Sequence, residues 1–409
     1  MNILVVSQYF WPENFRINEL VSEWTRRGHR VTILTGQPNY PGGKVFADYL
    51  SNRSSYDSYA GATVIRVPMF ARGTGRFRLL LNYLSFVLGA CIWGSWRLRG
   101  VEVDVIFTFE PSPILVGIPS ALFRWIKRAP QAFWVLDLWP ETLRAVGIIQ
   151  SKSILAIIER LVRIVYRNCD LILAQSQGFV SKISRLSLEG TRIEYFPAWA
   201  EVFPSSDSVT PAPEVPMSIG VFTILFAGNI GEAQDFPAIL DAASALKDRN
   251  DIRWVIVGDG RMAGWLREQI LLRKLDQQIL IVGRYPLERM PSFFAHADAL
   301  LVSLKDDPIF ALTIPGKLQS YFSTGIPVLA MLNGEGAAII ENAKAGLVSK
   351  AGDGKGLAKI VRQLIEMEAS ERSAIGARGV RLCAEEFDRE ELIKRLDNWL
   401  VEIVTHHSK

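Results

Sequence analysis

The feature that most constrains this chain is a repeated alternation of short apolar runs with amphipathic segments, which occurs twice. NILVVS, RVTILT, ATVIRVP, DVIFTF, QAFWVLDL and LILAQS are strand-like in the first half, with helical stretches such as RINELVSEWTRRG and SILAIIERLVRIVYR between them. FTILFAG, IRWVIVG, QILIVG, ADALLVSL and IPVLAM repeat the pattern in the second half. Runs this short and this apolar fit strands buried on both faces, and the intervening helices predict parallel, doubly wound sheets. At 409 residues the chain exceeds what one core usually holds, so two α/β domains are expected. The Pro- and Ser-rich stretch VFPSSDSVTPAPEVPMS joins them. The predicted boundaries are 1–200, with a returning amphipathic helix over 388–409, and 201–387.

Charge divides along the same line. Residues 1–200 carry 23 basic and 14 acidic side chains, net +9, and the remainder 23 and 28, net −5. The basic surplus of the first half predicts an anionic partner there. Three cysteines far apart, with no CxxC pair, indicate neither a disulfide framework nor a zinc site. No secretory signal is readable before NILVVS, and a cytoplasmic location is expected.

Ligands of doubly wound sheets bind at strand C-termini. There the first half places Glu110 in TFEPSP and Asp137 in FWVLDLWPETL, with Glu141 four residues on. Asp137 and Glu141 could line one rim of a cleft and orient a reacting group, or could simply cap the next helix and face solvent. The first turn reads SQYFWPENFR and lacks GxGxxG, which disfavours a dinucleotide. His29 and His296 read as structural. Residues 79–96 form an 18-residue uncharged run flanked by Arg72, Arg76, Arg78, Arg97 and Arg99. Its polar and glycine residues, and its place inside a strand-helix alternation, argue against a span. A monotopic face on an anionic membrane is the preferred reading over a plain core helix.

In the second half three strands run into glycine turns, GNIG at 228–231, GDGR at 258–261 and GRYP at 283–286. Backbone amides at Gly228, Asn229, Gly231 and Gly258, with Arg261, Arg284 and Lys305 as counter-charges, would suit a nucleotide diphosphate. The stretch FALTIPGKLQSYFSTGIPVLAMLNGEG adds Pro315 and Lys317 at a helix start. Lys317 either faces that anion or points into solvent. No cluster of metal-ligand type occurs at a strand end, so no metal is expected, and nothing suggests nucleic acid.

RGHRVTILTGQPNYP, DLWPETL, FAGNIGEAQ, VIVGDG, GRYP and IPGKLQSYFSTGIPVLAMLNGEG together resemble retaining GT-B glycosyltransferases of family 4, in the WbuB-like branch. The resemblance covers nearly the whole chain. It implies two Rossmann-like domains facing a cleft, the first for the acceptor and the second for the donor. It further implies transfer from a UDP-sugar, N-acetyl-L-fucosamine in the named representative, to an undecaprenyl-diphosphate-linked sugar in O-antigen or capsule synthesis. The site would then lie on the inner face of the bacterial plasma membrane. The chain departs from the family where two glutamates are usual, with Ala311 and Ser320 in their places, and where an Arg and a Lys are usual, with Asn229 and Gln234. Asp137 stands where a His is often found, and Glu335 is a substitute for the ribose carboxylate. A UDP-sugar epimerase of the same architecture and a degenerate partner subunit are the alternative expectations.

Overall fold

The structure is a computed structural model that describes residues 1–407 except 74, 146, 148, 202, 204–208 and 219; the Arg76 side chain and much of the predicted linker therefore lie outside the described residues. The chain divides into two compact units, Met1–Phe196 with Ile393–Lys409, and Pro197–Leu392.

The first unit carries β1 (Asn2–Val6), β2 (Arg30–Thr35), β3 (Ser58–Tyr59), β4 (Ala62–Arg66), β5 (Val105–Glu110), β6 (Gln131–Val135), β7 (Leu171–Ala174) and β8 (Arg192–Tyr195). They form one sheet in the order β3-β4-β2-β1-β5-β6-β7-β8, parallel except for the β3–β4 pair. The second unit holds β9 (Phe222–Ala227), β10 (Ile252–Val257), β11 (Ile279–Gly283), β12 (Ala299–Ser303), β13 (Val328–Met331) and β14 (Gly346–Ser349), ordered β11-β10-β9-β12-β13-β14 and all parallel. Each sheet reverses its winding direction once, between β1 and β5 and between β9 and β12. Crevices for ligands open at such switch points, beyond the strand C-termini.

Every residue of β5 and β6 is buried, as expected for strands covered on both faces. An edge-to-face series of rings runs through this core: Trp24 to Phe107, Phe107 to Trp134 and Trp134 to Phe196, with centroids 5.0, 6.4 and 4.9 Å apart. Each such side chain contributes about 1.5–3 kcal/mol by burial. The helix Arg16–Arg26 buries a stripe of Ile17, Leu20, Val21 and Trp24. The terminal helix Arg389–His407 docks on this unit through Asp397, which accepts from Trp24 Nε1 at 2.8 Å and from Arg27 Nη1 at 3.1 Å. His29 touches the Met1 amine and lies 4.0 Å from Asp397, at the sheet end away from the switch point.

The apolar run is a helix from Arg76 to Gly89, continued by one wide turn (Ala90–Gly94) and a short helical end (Ser95–Arg97). It is the connection between β4 and β5, seated by Gly89 against Val67 and Pro68 and by Gly94 against Leu34 and Phe123. Residues 77–97 are long and apolar enough to cross a membrane, yet only 28% of the apolar stretch is buried. Phe77, Leu80, Leu84, Leu88, Ile92 and Trp96 form an outward stripe, with Phe77 72% exposed.

In the second unit Phe226, Phe236, Trp254, Leu266, Leu301 and Leu329 anchor the core. Tyr321, from the helix Lys317–Ser323, accepts from the Ala227 amide at 2.8 Å through its hydroxyl, which also lies 3.2 Å from the Ala227 carbonyl as donor. One side chain thereby ties off both backbone groups at the end of β9.

Candidate active site

In the second unit the three glycine turns stand side by side at the C-terminal edge of β9, β10 and β11. The Gly228 amide donates to Val257 at 2.8 Å, Gly258 to Gly283 at 2.7 Å and Ile230 to Asp259 at 2.9 Å. A methyl group at Gly258, whose φ is +158°, would come within 1.8 Å of the Gly228 carbonyl oxygen, so only glycine permits this approach. Asn229 is exposed, and its amide reaches Gln234 at 3.5 Å, which in turn accepts from the Gly231 amide at 3.1 Å. Behind them, Ser303 Oγ donates to the Gln234 carbonyl at 2.7 Å and the Lys305 amide to Ala233 at 2.8 Å, fixing the loop after β9.

Lys317 folds back over this row. Its Nζ lies 3.5 Å from the Phe226 ring centroid, and a methyl at Gly228 would fall 2.8 Å from it. Part of the stem is accessible, but the ammonium end is buried and has no hydrogen-bond partner. Burial pulls its pKa down to about 7. The attraction of the ring, about 2 kcal/mol for a desolvated pair, does not match the several kcal/mol that burying an ammonium costs.

Arg261, Arg284 and Lys305 are exposed beside these turns. Pro315 is buried and packs at Gly336, while Glu335 opens the helix Glu335–Ala343. A methyl at Gly334 would meet the Ala311 carbonyl at 1.9 Å, so position 311 serves as a backbone seat. The buried Ser320 hydroxyl donates to the Glu201 carboxylate, which brings an acid to a position that carries none. Sequence reasoning missed this contact and the Tyr321 lock, since neither shows in a local pattern.

In the first unit Glu110 ends β5, and Asp137 lies two residues beyond β6. Asp137 is half-buried; burial raises its pKa to about 6, offset in part by Thr142 and Trp139, which face its carboxylate. Glu141 is half-buried at the first position of the helix Glu141–Ala145. Glu110 is fully buried, its carboxyl close to the Leu136 and Asp137 amides but without a well-formed hydrogen bond. Burial, then the charge of Asp137, drives its pKa well above the usual carboxylate range. The sequence offered Glu110 as a site residue at a strand end; it is buried with no surface left for contact.

The same edge holds a group that the sequence did not reveal. The buried Glu13 carboxylate accepts from the amides of Phe10, Asn39 and Tyr40 at 3.2, 2.7 and 2.6 Å, clamping the loops after β1 and β2 together. Its pKa is raised to about 7 by burial, against those three hydrogen bonds. Among the described residues no group of three or more His, Cys, Asp or Glu is placed to hold a metal.

Residues 14–199 match the family described as "Glycosyl transferase 4-like domain", and residues 221–367 that described as "Glycosyl transferases group 1". The chain is 23% identical over 346 residues to the "Putative colanic acid biosynthesis glycosyl transferase WcaI" of Escherichia coli (strain K12), spanning 80% of this chain and 82% of that one. It superposes on a sucrose-phosphate synthase from Thermosynechococcus elongatus with a TM-score of 0.73 at 13% identity, over 99% of both chains. Anabaena HepE in complex with UDP and glucose gives 0.67 at 15% identity, over 98% of this chain and 99% of that one.

The buried ammonium generates a test by itself. The folded pKa of Lys317, about 7, lies below its ordinary 10.5, so the unfolded chain binds the extra proton between these values and stability from this group rises with pH across that window. Lys317→Met should stabilise the unliganded protein at neutral pH by about 1–4 kcal/mol in denaturant unfolding and flatten that rise. An unchanged or lowered stability with intact fold would show that the ammonium is solvated. With both halves of the chain matched to glycosyltransferase families and its full length superposing on enzymes of that architecture, the chain is a glycosyltransferase of the GT-B fold.

Proposed function

We propose that this enzyme moves a sugar, with retention, from a UDP-sugar to a lipid diphosphate-linked sugar in O-antigen or capsule-type polysaccharide synthesis, as the WbuB-like resemblance implies. N-acetyl-L-fucosamine is the donor sugar that resemblance suggests. The observation that carries the reading is the buried, unpaired ammonium of Lys317 above the Gly228 turn. A leaving diphosphate is the partner such a group lacks, and a preorganised cation stabilises its charge as the glycosidic C–O bond breaks. The relative WcaI is named for colanic acid synthesis and HepE was solved with UDP, which supports the same direction. In this reading amides at Gly228, Asn229, Gly231 and Gly258 cradle the diphosphate, Arg261, Arg284 and Lys305 add counter-charge, and Glu335 holds the ribose. Asp137 orients the transferred sugar, Glu141 assists the acceptor, and no divalent metal is needed.

We further assign the enzyme to the cytoplasmic face of the plasma membrane. The support is the outward stripe of the helix 76–97, extended by exposed Trp125 and Ile126 and by Ile154, Ile157 and Ile164 on the helix Lys152–Tyr166. The helix Gly117–Lys127, which carries Trp125, packs between them. Exposed Arg78, Arg97, Arg99, Arg128, Arg160 and Arg167 are set among these residues in sequence and suit anionic headgroups, each contributing about 1 kcal/mol near such a surface.

The decisive experiment is a screen of UDP-sugars with lipid diphosphate-linked acceptors, reading product mass with and without chelator. Transfer should occur in chelator, and Lys317→Ala should lower turnover roughly tenfold to a thousandfold. Turnover lost in chelator and restored by manganese sinks metal independence; UDP-sugar consumed without acceptor points to the epimerase alternative.

Because Asp137 ionises near pH 6 and acts as a carboxylate, kcat should fall as pH drops through about 6, while Asp137→Asn should be slower and lack that limb. An identical acid limb in the variant would remove Asp137 from this role.

The protein should also sediment with anionic vesicles, and Leu80, Leu84 and Leu88 changed together to Ser should leave it in the supernatant with UDP affinity intact. A wild-type protein that ignores such vesicles refutes the membrane assignment.

A further inference from the structure

Arg72 belongs, by sequence position, to the basic flank of the apolar run, but its guanidinium turns inward. It is half-buried, with its Cζ 5.2 Å from the Tyr40 ring centroid, and among the described residues no carboxylate pairs with it. Its backbone is pinned, since the Arg72 amide donates to Asn39 Oδ1 at 2.9 Å. The Tyr40 ring belongs to a cluster: Tyr9 and Phe15 each lie 5.3 Å from it, and they stack on each other at 5.4 Å.

The outward-facing helix delivers the other half of this corner. Asn82, fully buried, accepts from Gln8 Nε2 at 2.8 Å and donates to the Phe70 carbonyl at 2.7 Å, which locks the rotation of the helix Arg76–Gly89. The next residue, Tyr83, faces Ser112, Arg72 and Asp137. Burial raises the Tyr83 and Tyr9 phenols, and the Arg72 charge works against it at both. Gln8 Oε1 is buried with no partner.

A partly desolvated guanidinium with no carboxylate, beside a phenol donor and against an aromatic wall, is a receptor for a phosphoryl group. Its position says what carries that group. Leu80, Leu84 and Leu88 face outward from the same helix, so an anion reaching this corner from the apolar side arrives on an amphiphile. We infer that Arg72 and Tyr83 form the subsite for the acceptor's diphosphate and hold the sugar attached to it beside Asp137. The inference rests on the reading of the acceptor as a lipid diphosphate-linked sugar.

The test is calorimetric binding of geranyl diphosphate and of geraniol with UDP at saturation, so that the Lys317 corner is occupied. Wild type should prefer the diphosphate, and Arg72→Ala and Arg72→Gln should bind it about tenfold to a hundredfold more weakly, with Arg72→Lys intermediate and Tyr83→Phe less affected. Geraniol and UDP affinities should not change, nor the melting temperature of Arg72→Gln. Equal diphosphate affinity in wild type and a folded Arg72→Gln, or no preference for geranyl diphosphate over geraniol, overturns the subsite. In turnover, an acceptor KM unchanged by Arg72→Gln overturns the subsite and leaves the proposed reaction standing. Equal use of acceptors lacking the diphosphate overturns both.

Discussion

The second unit is organised around an uncompensated charge. A lysine stem long enough to reach solvent is instead laid across Phe226 with its ammonium above Gly228, where burial alone brings its pKa to about 7. That position is tenable only because the surrounding backbone cannot move aside. The Gly228 amide donates to Val257 and the Gly258 amide to Gly283, the Tyr321 hydroxyl closes the end of β9, and the loop behind is tied to Ser303 and Lys305. A cation kept in a rigid, partly desolvated seat needs little reorganisation when an anion arrives, which is the physical basis of electrostatic catalysis.

The first unit uses acids in the same way but divides their labour by burial. Glu13 is fully employed, its oxygens taken by three amides of two loops, so it is a structural fastener. Glu110 is sealed in the sheet. Asp137, less buried, stays accessible beyond the end of β6, with its pKa raised to about 6.

Much of this was legible in the sequence, and what was not has identifiable causes. Strands covered on both faces announce themselves as apolar runs, so both sheets and the three glycine turns could be read directly. β3, β8 and β14 could not: they are sheet-edge strands of two to four residues, and β8 (RIEY) is only half-buried, with no apolar run to mark it. Lys317 was readable as a candidate because it follows Pro315 and Gly316, but its burial depends on Phe226, some ninety residues away. Glu13 left no trace, since its partners are backbone amides of a loop that begins near Asn39. Arg72 was misplaced because a basic residue flanking an apolar run looks like a headgroup anchor, while its direction is set by Asn39 and Tyr40.

That misplacement shows how the helix 76–97 works. Its outward face repeats apolar residues at positions 77, 80, 84, 88, 92 and 96, the spacing of a single helical stripe. Asn82, Tyr83 and Phe86 occupy the opposite side and are buried or half-buried in the unit. Asn82 bonds to the loops after β1 and β4, so the helix cannot roll to bury its stripe without breaking hydrogen bonds to Gln8 and Phe70, and a buried amide left unpaired costs about 1–3 kcal/mol. The exposed leucines are thus a consequence of where Tyr83 must stand. Under the proposed membrane assignment and acceptor subsite, a surface that held the stripe would also fix the rotation of the rigid element that carries Tyr83, which would make attachment and acceptor placement two faces of one helix.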